Sequence, residues 1–497
     1  MSGMLGIISY GLGTVFGFIV IGVLVFWFIQ DVTQKKHAVL RNYPVVGRLR
    51  YLFEKQGEYF RQYFFMNDRE ELPFNRSARS WVYRLAKAEG GIIGFGSTSN
   101  TSEAGSILFV NAPFPVLDED RLPTPSILIG EGYARQPFEA KSIVNISGMS
   151  FGAISSPAVR ALSHGAALAG CWLDTGEGGL SPYHLEGGCD IIMQIGTAKY
   201  GIRDRDGNLS PERAKELSQH VKAFEIKLSQ GAKPGKGGVL PAAKVTEEIA
   251  NIRGIPPHQD SISPNRHRDI ANVNELLDKI AYLRDLTGRP VGVKTAIGGW
   301  RFMNELCDAV NRRGLECAPD FLAVDGGEGG SGAAPQALMD HMALPIAEAL
   351  PRVVDALIES GLRQRIRVVA AGRLVTSARA AWALCVGADF VNSARGFMFS
   401  LGCIQALRCH QNSCPTGVTT HDKRLQRGLV VEEKRLRVAQ YATGMNQEID
   451  MIAHSCGCRQ ARELTREHVR IVQSAGHSVA LNILYPYPDA GSKRRAA

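Results

Sequence analysis

IRVVAAGRLVTSARAAWALCVGADFVNSARGF, Ile366–Phe397, is one complete β/α unit. An apolar run, Ile366–Ala371, ends in the polar turn AGR. A helical pattern follows over Ser377–Val386, and a second apolar run, Ala388–Ser393, ends in ARGF. Runs this short and apolar, separated by a helix-length amphipathic segment, are the signature of parallel strands buried on both faces. The same alternation extends upstream, with β-like runs at Ile143–Ser147, Cys171–Thr175, Asp190–Ile195, Ala223–Leu228, Pro290–Thr295 and Asp320–Asp325. Helical patterns lie between most of them, at Pro157–Ala169, Val273–Leu286, Trp300–Arg313 and Ile346–Ser360. Eight strands alternating with helices predict an α/β fold of the (β/α)8 TIM-barrel type. A doubly wound open sheet is the alternative, and it loses ground because no G-x-G-x-x-G follows a strand.

In such a barrel the active site forms from the loops after the strands. Gly-rich or polar segments stand in those places: SGMSFGAIS (Ser147–Ser155), GEGG (Gly176–Gly179), GAKPGKGG (Gly231–Gly238), DGGEGGSGAAP (Asp325–Pro335), AGR and ARGF. Gly-rich loops after strands 7 and 8, with Arg373 and Arg395 among them, point to a phosphorylated cofactor held by backbone N–H groups. Glycines serving only tight turns are the competing account.

After the last strand comes GCIQALRCHQNSCPTG, in which Cys403, Cys409 and Cys414 are spaced C-x5-C-x4-C with Pro415 following. Three thiols in a polar, turn-rich segment suit an iron–sulfur cluster. Zinc fits less well, since its cysteines usually come at x2 to x4 spacings with a fourth ligand. A cluster beside a phosphate-bearing cofactor implies electron transfer, with flavin mononucleotide (FMN) as its natural partner.

The chain has 497 residues, 45% hydrophobic and 21% charged, with 53 glycines and 10 cysteines. That composition is globular and no disulfide scaffold. The net charge of +9 gathers near the ends, in Lys35, Lys36, Arg41, Arg48 and Arg50, and in Lys493, Arg494 and Arg495. No Lys/Arg stripe is interleaved with aromatics, which argues against nucleic acid. Residues 6–29 carry no charge. At about 1.5 Å per residue they are long enough to span a bilayer. Basic residues directly after them place the rest of the chain on the cytoplasmic side. The expected layout is a transmembrane anchor over 1–30, a linker or cap region over 31–140, the barrel with its cysteine loop over 141–425, and a helical extension over 426–497. Within the cap, Gln56–Phe65 and Ser77–Ala88 read as amphipathic helices, and Ile92–Phe95 and Ser106–Val110 as short strands.

The motifs SGMSFGAIS, DTGEGG, EIKLSQGAKPGKGGVLP, ISPNRHRDI, DGGEGGSGAAP and GCIQALRCHQNSCPTGVTT occur in this order between about residues 140 and 424. That stretch resembles the flavin-binding synthase domain of glutamate synthase, and the whole layout resembles the membrane-anchored FMN-binding members of that family. The resemblance implies an oxidoreductase acting on CH–NH2 groups, with FMN and a 3Fe–4S cluster. It implies that an imine formed from 2-oxoglutarate and ammonia is reduced to glutamate. Cys403, Cys409 and Cys414 match the cluster ligands. Lys233 and Arg253 match the cations that hold the substrate carboxylates, and Glu177 matches a loop acid that manages a proton. Lys294 matches a lysine near the flavin and Gln194 a partner of its pyrimidine edge. Ser147, Met149 and Ser150 would lie along the ring, and Gly327, Gly372, Arg395 and Gly396 would serve the phosphate.

Two positions depart from the family pattern: Val239 replaces a glutamine in the substrate loop, and Lys236 replaces a glutamate. The chain opens Met-Ser rather than with a nucleophilic cysteine, so no glutamine hydrolysis is expected. No dinucleotide module is present, so a separate electron-donor protein is expected. The alternatives to synthase activity on 2-oxoglutarate are an electron-transfer subunit of a membrane complex, or a synthase using another amine or keto acid. The expected location is the inner (cytoplasmic) membrane, single-pass, with the catalytic domain in the cytoplasm.

Overall fold

The structure is a computed structural model and describes residues 2–488, with side chains from Gly11 onward except that of Glu58. Lys493, Arg494 and Arg495 lie outside the described residues. The chain divides into two compact units, Met1–Ser77 and Ala78–Ala497.

The second unit contains a closed barrel of eight parallel strands in sequence order. They are β1 (Val144–Ile146), β2 (Leu173–Asp174), β3 (Ile191–Ile195), β4 (Ala223–Lys227), β5 (Val291–Thr295), β6 (Phe321–Asp325), β7 (Arg367–Ala371) and β8 (Phe390–Ser393). Strand β8 pairs with β1 and closes the ring. The expected fold class therefore holds. Almost every strand residue is buried, as parallel strands covered by helices on one side and filled on the other require. The outer ring comprises α1 (Ser156–Ala169), α2 (Pro182–Leu185), α3 (Pro211–Ser218), α4 (Val273–Thr287), α5 (Arg301–Arg313), α6 (Ile346–Glu359), α7 (Ser377–Val386) and α8 (Val431–Ser455). Helix α1 shows how sharply these ends are encoded. The Ser155 hydroxyl accepts from the Ala158 amide, Pro157 opens the first turn, and Gly170 closes the helix at φ 66°.

The mouth at the N-terminal ends of the strands is plugged by a two-stranded hairpin, Ile127–Ile129 with Phe138–Ala140. Its Ile129 and Phe138 pack with Trp172, Ile192, Ala223, Phe321 and Phe390, which stand at or near the starts of their strands. This apolar floor leaves the opposite mouth for polar chemistry.

Two readings need correction. Ile92–Phe95 is not a strand: it is a bent segment between Gly91 and Gly96, in which Phe95 has φ 76° and no neighbouring strand pairs. The C-terminal extension is not wholly helical. After α8 the chain forms Val469–Ser474 and His477–Ala480, and Ile107–Phe109 adds antiparallel to the first of these.

In the first unit the helix Ser2–Thr33 contains one stretch, Gly11–Thr33, long and apolar enough to cross a membrane. The predicted Gln56–Phe65 helix starts earlier, at Gly47, and ends in a wider π-type turn over Arg61–Phe65.

Candidate active site

Polar side chains fill the upper half of the barrel. Gln194 and Glu225 are register partners across β3 and β4, and Lys227 and Lys294 across β4 and β5. The Gln194 Nε2 donates to Glu225 Oε1 at 2.6 Å and to Asp174 Oδ2 at 3.3 Å. Both acids are buried. Burial, then the charge of Glu225, pushes the Asp174 carboxyl well above its ordinary range. With its amide N–H groups committed to two acids, Gln194 has its Oε1 left for the cavity above. Burial pulls the Lys294 ammonium down, but Asp325, Glu225, Asp174 and Glu177 together hold it above its usual value. Its Nζ donates to Ser147 Oγ at 3.5 Å.

Above these groups lies an open cavity lined mostly by polar side chains and glycines. Ser147, Gln194, Lys294, Gly372 and Arg395 line it, as do Lys227, Arg373, Gly329 and Gly330. Gly372 has φ 130°, and a Cβ there would stand 3.2 Å from the Gly326 Cα, so the loop needs glycine. Arg373, at φ 49°, is held in left-handed backbone. The Arg395 Nη2 donates to the Glu328 carbonyl at 2.7 Å. Burial and then Arg373 pull the Arg395 guanidinium down to about 10. The Arg373 Nε is buried without a hydrogen-bond partner. Two facing guanidiniums, one with an orphaned donor, form a pocket that an anion would relieve.

Not all predicted residues share this cavity. Met149 and Ser150 are buried but do not line it, and Ser150 Oγ accepts from Arg253 Nη2 at 3.5 Å. The Gly327 N–H donates to the Leu344 carbonyl at 2.8 Å, and the residue packs on the Met342–Ala343 backbone. Gly396 is a packing residue, since a Cβ there would collide with Tyr441 Oη.

Beside the cavity Glu177, Lys233 and Arg253 converge, joined by Lys227. Glu177 Oε2 pairs with Lys227 Nζ at 3.2 Å. Burial would raise the Glu177 carboxyl, but Lys227, Lys233 and Arg253 outweigh it and hold the group below its ordinary value. Gly196 and Gly238 make room for this side chain: a Cβ at Gly238 would stand 2.5 Å from Glu177 Oε1. Burial lowers Lys233, Glu177 partly offsets that, and Lys227 and Lys236 lower it further. The loop carrying Lys233 is pinned to β6 by the Gly231 N–H, which donates to Asp325 Oδ2 at 2.9 Å. Arg253 ends a short helix, Glu247–Arg253, and is lowered by burial. It donates to Ser261 Oγ and the Phe151 carbonyl, each at 3.3 Å, and lies over the Tyr200 ring. Its Nε has no partner. Val239 and Lys236 are both exposed on the same loop.

Cys403, Cys409 and Cys414 are free thiols gathered near one another on the loop after β8. Burial pushes Cys403 up to about 12 and raises Cys409. In Cys414, hydrogen bonds from Thr416 and Thr419 outweigh burial and lower it. Gln405, Leu407 and Asn412 all have positive φ between 55° and 58°. Strained backbone of this kind persists only where the surroundings over-determine it. The buried Lys244 Nζ donates to the carbonyls of Ala153 (2.6 Å) and Cys409 (3.2 Å), tying the loop after β1 to the cysteine loop. Among the described residues, no three His, Cys, Asp or Glu side chains stand close enough to hold a single metal ion. Cys458 Sγ lies 3.5 Å from His468 Nε2, a pairing within the C-terminal segment.

Lys227, Glu225, Asp174 and Lys244 were not singled out from the sequence. The usable signal was alternation: Ala223, Glu225 and Lys227 share one face of β4, so two charged residues point into an otherwise apolar barrel.

The family described as "Conserved region in glutamate synthase" matches residues 116–459. The Bacillus subtilis "Glutamate synthase large subunit-like protein YerD" is 41% identical over 92% of this chain and 94% of its own length. The Thermotoga maritima "Archaeal-type glutamate synthase [NADPH]" is 33% identical over 69% of this chain and 64% of its own length, so the chain spans under two thirds of that protein. The Rhizobium meliloti "Glutamate synthase large subunit-like protein" is 29% identical over 77% of this chain and 88% of its own. Among solved structures, a mutant flavocytochrome b2 with benzoylformate matches with a TM-score of 0.46 at 14% identity, over 90% of this chain and 92% of that one. With the family's conserved region covering the whole barrel and a relative aligned over nearly the full length, the chain belongs to the glutamate synthase family.

Proposed function

We propose that this protein is a glutamate synthase-like oxidoreductase that joins ammonia to 2-oxoglutarate. The reading is carried by the convergence of Lys227, Lys233 and Arg253 on Glu177, beside a cavity that Gln194, Lys294, Arg373 and Arg395 line. Three cations against one carboxylate suit a substrate that brings two carboxylates of its own.

When bound, FMN in the cavity and a 3Fe–4S cluster on Cys403, Cys409 and Cys414 would supply hydride to the substrate imine and pass on single electrons. The residues present fit both groups. A cluster of several irons asks for thiols set further apart than one ion would, and the cysteine loop is the polar, strained segment that offers three. Gln194 Oε1 would accept a ring N–H, and Lys294 faces the same cavity as a cation able to hold negative charge. Arg373 and Arg395 would hold the phosphate, with Gly372 allowing close backbone approach. Ser147 lies at the cavity wall, Met149 and Ser150 support it from the same loop, and Gly327 and Gly396 shape the phosphate loops by packing. Lys233 and Arg253 hold the substrate carboxylates. Glu177, kept ionised chiefly by Lys227, would relay in turn the two protons that nitrogen loses as ammonia becomes the imine, passing each to the former keto oxygen, which departs as water.

Electrons come from a separate donor protein. Residues 1–30 anchor the chain in the inner membrane by one pass, and the barrel of residues 141–425 lies on the cytoplasmic side. A second reading, a synthase for another amine or keto acid or an electron carrier, is favoured by Val239 and Lys236, which expose a valine and a cation on the substrate loop.

The test is anaerobic photoreduction of the flavin in the detergent-solubilised full chain, followed by 2-oxoglutarate and ammonium. Reoxidation of the flavin with stoichiometric glutamate supports the synthase. If loaded, reduced protein stays reduced with 2-oxoglutarate but is reoxidised by another keto acid or by a quinone-like acceptor, the second reading replaces it.

A further inference from the structure

Residues 34–66 follow directly on the apolar stretch Gly11–Thr33. They hold Lys35, Lys36, Arg41, Arg48, Arg50, Lys55 and Arg61 against Glu54 and Glu58, a net charge of +5. The next ten residues reverse the sign, with Asp68, Glu70 and Glu71 against Arg69 and Arg76. The positive charge is therefore local to the segment beside the span.

Within it, the helix Gly47–Phe60 places Leu49, Leu52, Phe53 and Phe60 on one face by their spacing. All four are exposed, Phe53 at 64% and Phe60 at 46%. The Phe60 ring neighbours that of Phe64 at 5.7 Å, and Phe64 and Phe65 are open at 73% and 78%. Arg50, Glu54 and Lys55 lie on other faces of the helix. The apolar stripe is interrupted by Gln56 between Phe53 and Phe60, and its apolar side chains remain exposed.

The helix is also fixed to the end of the apolar stretch. Asp31 is buried, and its carboxylate accepts from Arg48 Nε (2.9 Å), Arg48 Nη2 (2.7 Å) and the Val45 amide (2.9 Å). The Arg48 guanidinium lies 4.9 Å from the centre of the Trp27 ring. Trp27 stands where a span would meet the headgroups. The clamp therefore sets the helix's departure at that level.

We propose that Gly47–Phe65 is a second, lateral membrane contact. It lies in the plane of the interface, with acyl chains against Leu49, Phe53, Phe60 and Phe64 and anionic lipid headgroups against its basic residues. The proposal rests on reading Gly11–Thr33 as a span.

The test places the photo-cross-linker p-benzoylphenylalanine at Val20, Phe53, Phe64 or Glu54 of the full chain. Each protein is reconstituted in phosphatidylcholine vesicles with or without phosphatidylglycerol, and adducts are read by mass spectrometry. Lipid adducts are expected at Val20, Phe53 and Phe64, and at least fivefold fewer at Glu54. Removing phosphatidylglycerol should cut the Phe53 yield threefold or more and leave Val20 unchanged. Lipid adducts at Val20 with only protein adducts at Phe53 and Phe64 would overturn the proposal in favour of a protein partner. Equal yields at Phe53 and Glu54, or a Phe53 yield indifferent to phosphatidylglycerol, would also overturn it. No lipid adduct at Val20 would overturn the span reading and the proposal together.

Discussion

Arg253 offers the sharpest quantitative test of the substrate site. Its guanidinium has five N–H donors. Its contacts to Ser261, Ser150 and Phe151 are long, between 3.3 and 3.5 Å, and all go to neutral oxygens. Its Nε donor has no partner at all. A buried donor left unsatisfied costs about 1–3 kcal/mol, and a hydrogen bond to a charged group contributes about 1.5–3 kcal/mol. An arriving carboxylate therefore relieves a penalty already present and adds a charge-assisted bond. Replacing Arg253 by Lys keeps the charge but removes the planar fork. A loss of about 2–3 kcal/mol follows, which is roughly a 30- to 140-fold rise in the Kd for 2-oxoglutarate. Titration of the flavin absorbance with 2-oxoglutarate measures it, and flavin content and photoreduction should be unchanged, because Arg253 does not line the cofactor cavity. A Kd change under threefold, or an equal loss of flavin, would refute the assignment of Arg253 to a substrate carboxylate.

Lys227→Met removes the 3.2 Å partner of Glu177. Since the Glu177 carboxyl sits below its ordinary value when folded, its contribution to stability is present above about pH 4.5 and is lost as pH falls through the lower folded value. In the variant the acid limb of the Tm–pH curve should move to higher pH by half a unit or more, and an unmoved limb would show that Lys227 does not hold the carboxyl. Cys414→Ser should abolish the electron paramagnetic resonance signal of an oxidised 3Fe–4S cluster while leaving flavin bound; retention of the full signal would remove Cys414 from the ligand set. Arg466→Met should cost about 3–5 kcal/mol, because the fully buried guanidinium holds Asp355 at 2.6 Å and the Tyr485 carbonyl at 2.8 Å. That corresponds to a fall in Tm of several degrees, and a Tm within one degree of the parent would contradict it.

The barrel could be read from the sequence because its strands are buried on both faces and its polar loops fall at one end, so a short-range pattern carries the whole topology. The hydrophobic runs overestimated β2, where Leu173–Asp174 alone pairs, and placed a strand at Ile92–Phe95, where apolar residues occur with no neighbour to pair. Glycine content located the loops that border the cavity but could not tell which glycine faces it. That choice is made by distant packing: the Met342–Leu344 backbone takes Gly327, and Gly329 and Gly330 are left at the wall.

The charged pocket was harder for a related reason. Its contacts join residues far apart in the chain, 103 residues between Ser150 and Arg253, 94 between Gly231 and Asp325, and 147 between Ser147 and Lys294. Motif resemblance could pick out Glu177, Lys233 and Arg253 one at a time. It could not show that Lys227, a lysine at the end of an ordinary-looking strand, is the cation that pairs directly with Glu177 and, with Lys233 and Arg253, holds it ionised. In-register pairing makes that role necessary. Strand β4 sets Lys227 beside Lys294 of β5, and two cations side by side in a barrel are tolerable only with carboxylates within reach. Glu177 meets one of them, and Asp325, Glu225 and Asp174 surround the other. The acid proposed for proton transfer and the lysine proposed for the flavin thus belong to one coupled set of charges. A change at either should be felt at the other.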